Sequence, residues 1–138
     1  AIELAGVDHL RAREIGSLSG GQSQLVRIAM VLAQDTDVLL LDEPTTFLDM
    51  HHQLEVMEIV ERLRDDGDVT IGLVLHDLEQ AARYADHVVA LKDGVVQARG
   101  DPEAILTEDL LAEVFGVEAT VETAQRGLQI TPLGPYHE

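Results

Sequence analysis

The sequence predicts an α/β fold built on a parallel sheet, and three observations carry that expectation. Residues 38–41, Val38-Leu39-Leu40-Leu41, form an apolar run without polar interruption, the pattern of a strand buried on both faces. Residues 69–75 form a second such run, rich in β-branched side chains. Ahead of each run lies a helical apolar face: Leu25, Ile28, Ala29 and Leu32 at i, i+3, i+4 and i+7, then Val56, Ile59, Val60 and Leu63.

The elements follow in order. Residues 1–6 read as the end of a helix stopped by Gly6, and a basic, polar connection runs through His9, Arg11 and Arg13. Leu18-Ser19-Gly20-Gly21-Gln22 opens the first amphipathic helix, which should end near Gln34. A Ser-Gly-Gly turn at a helix start offers backbone N–H groups and the positive end of the helix dipole, so it suits a phosphate as well as an ordinary Ser cap. The strand at residues 38–41 ends in Asp42-Glu43-Pro44, where Pro44 stops the ladder. Ligands of open α/β sheets sit at the carboxyl ends of strands, so Asp42 could hold Mg²⁺ and Glu43 could polarise a water, the alternative being a strand that ends in a solvated acidic turn. Asp65-Asp66-Gly67 closes the second helix, which turns Glu55, Glu58, Glu61 and Arg62 outward.

After the second strand comes His76, level with Asp42 and Glu43 if the two strands are parallel neighbours. Asp77 with Gln80 resembles a capping box for a helix over residues 78–84. Residues 87–91 and 95–99 around Asp93-Gly94 read as a hairpin with a type I′ turn. Asp101-Pro102 breaks the chain, Thr107 caps a helix over residues 108–115, and Gly116 closes it. Beyond Val117 the pattern weakens, and residues 134–138 read as a mobile tail. The domain expectation is therefore a body over residues 1–117 and a partly flexible extension over 118–138.

Composition narrows the function classes. The 138 residues carry 26 acidic and 9 basic side chains, a formal charge of −17, and Lys92 is the only lysine. Such a surface opposes a nucleic-acid partner, which needs clustered Lys and Arg. A hydrophobic content of 46% with clear periodicity argues against disorder, and a halophilic origin would explain the acidity. Cysteine is absent, which excludes disulfides and Cys-ligated metals. No signal peptide is expected from the first residues, and the aliphatic runs are too short to span a bilayer. His51 and His52 are adjacent, so they point to different sides of a helix and read as surface residues rather than metal ligands.

Leu18–Gln22, written LSGGQ, is similar to the signature of ATP-binding-cassette (ABC) ATPases, and it stands at that family's distance before Asp42-Glu43, which resembles the Walker B end. Leu48-Asp49 resembles the D-loop and His76 the switch histidine. Thr45-Thr46-Phe47-Leu48-Asp49, the run from His52 to Val56 and residues 109–117 look most like importers of iron-siderophore, haem or cobalamin. Ser23, Gln24 and Leu25 depart from the family's common arginines. No G-x-x-x-x-G-K-[ST] occurs in the 138 residues, so the resemblance implies a partial P-loop NTPase-type fold whose Walker A half lies before Ala1.

The resemblance further implies an ATPase that sandwiches ATP and Mg²⁺ between two cassettes paired head to tail. Asp42 would position the metal, Glu43 would orient or deprotonate the attacking water, and His76 would reach the γ-phosphate. Ser19, Gly20, Gly21 and Gln22 would bind the partner cassette's ATP, and Asp49 would connect the two sites. Integral-membrane permease subunits, and indirectly a substrate-binding protein, would be the partners, at the cytoplasmic face of the membrane. A soluble, non-transport ABC ATPase and a catalytically inactive half-domain are the competing readings.

Overall fold

The computed structural model describes residues 5–14, 16, 18–67 and 69–138, which divide into two compact units, Ala1–Leu75 and His76–Glu138. Residues 1–4 of the expected leading helix lie outside the described residues, while Gly6 has the left-handed φ of 69° that suits a stop.

In the first unit a short 3₁₀ turn, Asp8–Leu10, precedes α1 (Gly20–Leu32), β1 (Val38–Asp42), α2 (Met50–Asp66) and β2 (Thr70–Val74). The strands pair in parallel, with Leu39 opposite Ile71, Leu41 opposite Leu73 and Asp42 opposite Val74. Because side chains alternate along a strand, Leu39 and Leu41 face one side together. They join Leu25, Ile28 and Ala29 of α1 and Val56, Ile59, Val60 and Leu63 of α2 in one buried cluster, with Ile71 and Leu73 packed against it. Both predicted helical faces are therefore core faces.

The run at residues 38–41, whose pattern suits burial on both faces, is covered on one face only in these 138 residues. Leu39 is 3% exposed, but Leu40 is 76% exposed and Val38 and Val74 are more than half exposed. Helices cover one face of this two-stranded sheet, and among the described residues no layer covers the other. Strand β2 is likewise only partly buried.

The second unit holds α3 (Leu78–Tyr84), β3 (Val88–Lys92), β4 (Val95–Gly100), α4 (Pro102–Ile105), α5 (Glu108–Phe115), β5 (Val117–Thr123) and β6 (Leu128–Pro135). Asp77 accepts from the backbone N–H of Gln80 at the start of α3, and Thr107 accepts from that of Leu110 at the start of α5. Gly116 ends α5 with φ 67° and ψ 29°, as expected. The β3–β4 turn places Asp93 at φ 52° and Gly94 at φ 76°, the two positive values that a type I′ turn demands. A bulge sets Ala90 opposite Ala98 but Leu91 opposite Val96, leaving Gln97 as the extra residue.

Two expectations change here. Pro102 does not merely break the chain but opens α4, where a missing N–H costs nothing. Gly134 and Pro135, read from sequence as tail, belong to β6, which pairs antiparallel with β5. The hairpin is fastened to helices of its own unit: Ile130 N–H donates to Glu79 Oε1 at 2.8 Å, and Val121 N–H to Glu108 Oε1 at 3.0 Å. Its prolines are tolerated because a two-stranded ladder leaves every strand one unpaired side. Strand β5 follows α5 directly, so the chain shows no break at Val117.

Candidate functional site

Two helix N-termini and one strand end converge in the first unit. The signature turn is the start of α1: Ser19 is its N-cap, and its hydroxyl accepts from Gln22 N–H at 3.1 Å. The Gln22 side chain reaches back, its Oε1 accepting from Ser19 N–H at 3.1 Å, which completes a capping box. Helix geometry gives the N–H groups of Gly20 and Gly21 no intrahelical acceptor. Space beside Gly20 is open, since a Cβ there would meet nothing within 4 Å. These features supply aligned N–H donors, an exposed hydroxyl and a positive dipole end, a set that suits an anionic oxygen.

At the carboxyl end of β1, Asp42 is exposed and Glu43 half-buried. Glu43 adopts φ 49°, a left-handed conformation that costs a non-glycine residue roughly 1–2 kcal/mol. Surrounding bonds hold it there. Its N–H donates to Val74 O at 3.0 Å, its carbonyl accepts from Thr46 N–H at 3.2 Å, and its Oε2 receives a long 3.4 Å bond from Thr46 Oγ1. Local strain kept in place by neighbours is a common mark of a functional position. Phe47 lies in the same turn at φ 65° and is fully exposed.

The sequence reading missed the residue that ties this turn to α1. Gln24 Nε2 donates to Pro44 O at 2.8 Å, bridging the helix that carries the signature to the turn that follows Asp42 and Glu43. The Gln24 amide serves as a direct strut between the two elements. Gln53 performs a similar task, its Nε2 donating to Leu48 O at 2.8 Å. Neither bond has a sequence signal, because each is a contact of a side chain with a backbone carbonyl.

Asp49 is the N-cap of α2, its Oδ1 accepting from both the backbone N–H and the ring Nδ1 of His52, each at 2.9 Å. Those bonds, the backbone one first, hold its carboxyl below the ordinary value. Here a further expectation is corrected. His51 is a surface residue, beside Glu55 at 3.4 Å, but the His52 side chain is only 24% exposed. Its ring lies against Gly21, where a Cβ would collide with imidazole Cγ, Cδ2 and Nε2. The spacing from Asp49, that of cap to third helical residue, was the available signal, and α1 repeats it with Ser19 and Gln22.

Ser19, Gly20, Gly21, Gln22, Asp42, Glu43 and Asp49 thus all belong to the first unit, whereas His76 begins the second, exposed at the bend before α3. Among the described residues no group of three or more His, Cys, Asp or Glu side chains could hold a metal. Asp42 alone nevertheless fits Mg²⁺, which commonly takes one carboxylate and completes its octahedron with water and substrate phosphates. No helix among the described residues is long and apolar enough to cross a membrane.

A parallel α/β unit with a glycine-rich helix start and a paired-carboxylate strand end is an arrangement met in nucleotide-binding proteins. The comparisons with known proteins agree with that class. The ABC transporter family matches over residues 1–46. The petrobactin import ATP-binding protein FpuD of Bacillus anthracis is 47% identical over 123 residues, covering 89% of this chain and 45% of its own length. The cobalamin import ATP-binding protein BtuD of Halobacterium salinarum is 42% identical over 135 residues, covering 96% and 34%. Among solved structures, a metal-chelate type ABC transporter in an inward-facing conformation superposes with a TM-score of 0.84 at 28% identity, over 98% of this chain and 54% of that one. Over nearly its whole length the chain is similar to ABC transporter ATP-binding proteins, and it spans less than half the length of the two curated relatives named here.

Proposed function

We propose that these residues form the signature-bearing part of an ATP-hydrolysing subunit of an ABC importer for iron-siderophores or a related metal chelate such as haem or cobalamin. The observation that carries the reading is a physical linkage: Gln24 joins the Ser19–Gly21 helix start to the turn behind Asp42 and Glu43. Similarity to petrobactin and cobalamin import proteins supports the substrate class. The P-loop is absent from the 138 residues and would come from other polypeptide, here assigned to the stretch ahead of Ala1.

In this reading two cassettes pair head to tail. The Ser19 hydroxyl and the Gly20 and Gly21 N–H groups of one contact the γ-phosphate of ATP held by the other, and the Gln22 amide keeps that turn in shape. Glu43, held in its strained conformation, orients the attacking water and takes its proton. Asp42 supplies the carboxylate for Mg²⁺, which when bound neutralises charge on the phosphate oxygens. His76 reaches the γ-phosphate and Asp49 links the paired sites, two roles that rest on the family resemblance. Closure on ATP and reopening after hydrolysis would drive permease subunits at the cytoplasmic face of the membrane, with a substrate-binding protein delivering the chelate.

The test is Glu43→Gln in the complete subunit that carries these residues. Turnover is expected to fall about 10²–10⁴-fold while ATP binding persists and an ATP-bound dimer accumulates. Near-normal turnover would remove Glu43 from this role. The bare 138-residue chain should not bind Mg-ATP with micromolar affinity in calorimetry, and such binding would overturn the assignment of the P-loop to other polypeptide.

A further inference from the structure

The imidazole of His52 occupies the space that a side chain at position 21 would need. Ring atom Nδ1 meets Asp49 Oδ1 at 2.9 Å, and Cγ, Cδ2 and Nε2 lie against Gly21. Gly21 is buried, and the His52 side chain is three-quarters buried although it sits in the first turn of a helix. The same carboxylate oxygen also caps α2 through His52 N–H. A single side chain therefore spans from the middle of the signature turn to the residue that fixes the start of the next helix.

We propose that His52 is a positioning residue that bolts the signature turn to the Asp49 turn, so that the two shift together when the signature turn engages a phosphate. Gly21 then lacks a side chain because its bare Cα gives the imidazole its seat. Without the ring, the signature turn at Gly21 loses this side-chain link to Asp49. With it, a displacement at Gly21 presses directly on a group hydrogen-bonded at a defined oxygen of Asp49. Because Gln24 holds the Pro44 carbonyl and Gln53 the Leu48 carbonyl, the whole turn between β1 and α2 is fastened at three points. Of these three side chains, the His52 ring is the one that lies against Gly21.

The activity part of this inference rests on the ATPase reading; the packing part does not. Both are tested in the complete subunit with Gly21→Ala, His52→Ala, the double variant and His52→Phe. Without nucleotide, Gly21→Ala should lower the melting temperature by about 5 °C when His52 is present, as overpacking does in a chain of this size class. In the His52→Ala background the same substitution should cost less than about 1 °C, because the colliding ring is gone. Equal losses in the two backgrounds would overturn the contact. His52→Phe keeps a ring over Gly21 and removes the bond to Asp49. It should melt within about 2 °C of the parent and keep its KM for ATP, yet lose about tenfold in kcat, the signature of misplaced rather than missing groups. A kcat within twofold of the parent, or a loss carried by KM alone, would overturn the positioning role. If the parent subunit itself hydrolyses no ATP, the ATPase reading fails, and the melting comparison still decides whether His52 is seated on Gly21.

Discussion

The two compact units are assembled by opposite routes. The first brings together elements distant in the chain: β1 and β2 pair in parallel, which requires α2 to cross between them, and their core draws on α1 as well. In the second the strands pair with their chain neighbours, β3 with β4 and β5 with β6 across short turns, while a small cluster of Ala82, Leu106 and Leu128 and the Glu79–Ile130 bond join its distant parts. All but one of the candidate site residues fall in the first unit, on turns where a strand or connection meets a helix. The difference is instructive because non-local assembly leaves those turns over-determined by packing from several elements. Only such a frame can keep Glu43 in a left-handed conformation and Asp49 on its cap.

If the units are separate in stability, a core truncation in one should spare the other. Ile59→Ala, at a site only 2% exposed, should cost the first unit about 3–4 kcal/mol. Amide exchange should then quicken across β1 and β2 while the β3–β4 amides keep their protection. Uniform loss of protection would mean that the division is geometric only.

Within the second unit, two glycines sharpen the point that turns differ in how much tertiary structure presses on them. Gly127 has φ 79°, and a Cβ there would lie 3.0 Å from the Arg83 backbone, so Gly127→Ala combines conformational strain with collision and should cost about 2–3 kcal/mol. Gly94 has φ 76° but open surroundings, and its alanine variant should cost only about 1 kcal/mol. Denaturant unfolding of the two variants measures both, and equal losses would break the distinction.

The two faces of β1 provide a smaller contrast. Leu40→Lys in the 138-residue chain should change stability by less than about 0.5 kcal/mol, because the side chain is 76% exposed. It should also reduce binding of a dye that reports apolar surface, and reduce any self-association in 2 M KCl, where the repulsion of a −17 chain is screened. Undiminished dye binding would assign the apolar surface to another face.

The smallest effect concerns Asp49. A carboxyl whose folded value is depressed contributes stability that is fully present above its unfolded value of about 4 and is lost as the pH falls through the lower folded value. Asn is as good a cap as Asp, so Asp49→Asn isolates the charge. The parent should be slightly the more stable at neutral pH, and the two unfolding curves should converge as the solution is acidified below about pH 4. A gap that stays constant through the acid range would detach the shift from stability.

Much of this molecule was legible in the residues themselves. Helix faces such as Val56, Ile59, Val60 and Leu63, caps such as Thr107 with Gly116, and the Asp93-Gly94 turn obey rules that act over a few residues, so the sequence alone determined them. Tertiary structure decided the rest. An uninterrupted apolar run cannot reveal that Leu40 stays exposed, because burial depends on which layers are present around a strand. Prolines and glycines in residues 132–135 conceal a strand whose pairing partner is recognised only once Glu79 and Glu108 hold the hairpin against α3 and α5. The fastening of the site by Gln24, His52 and Gln53 was illegible for the same reason. A hydrogen bond to a distant carbonyl, or a ring seated on a glycine, leaves no periodicity behind; it exists only where the fold brings its two partners within about 3 Å.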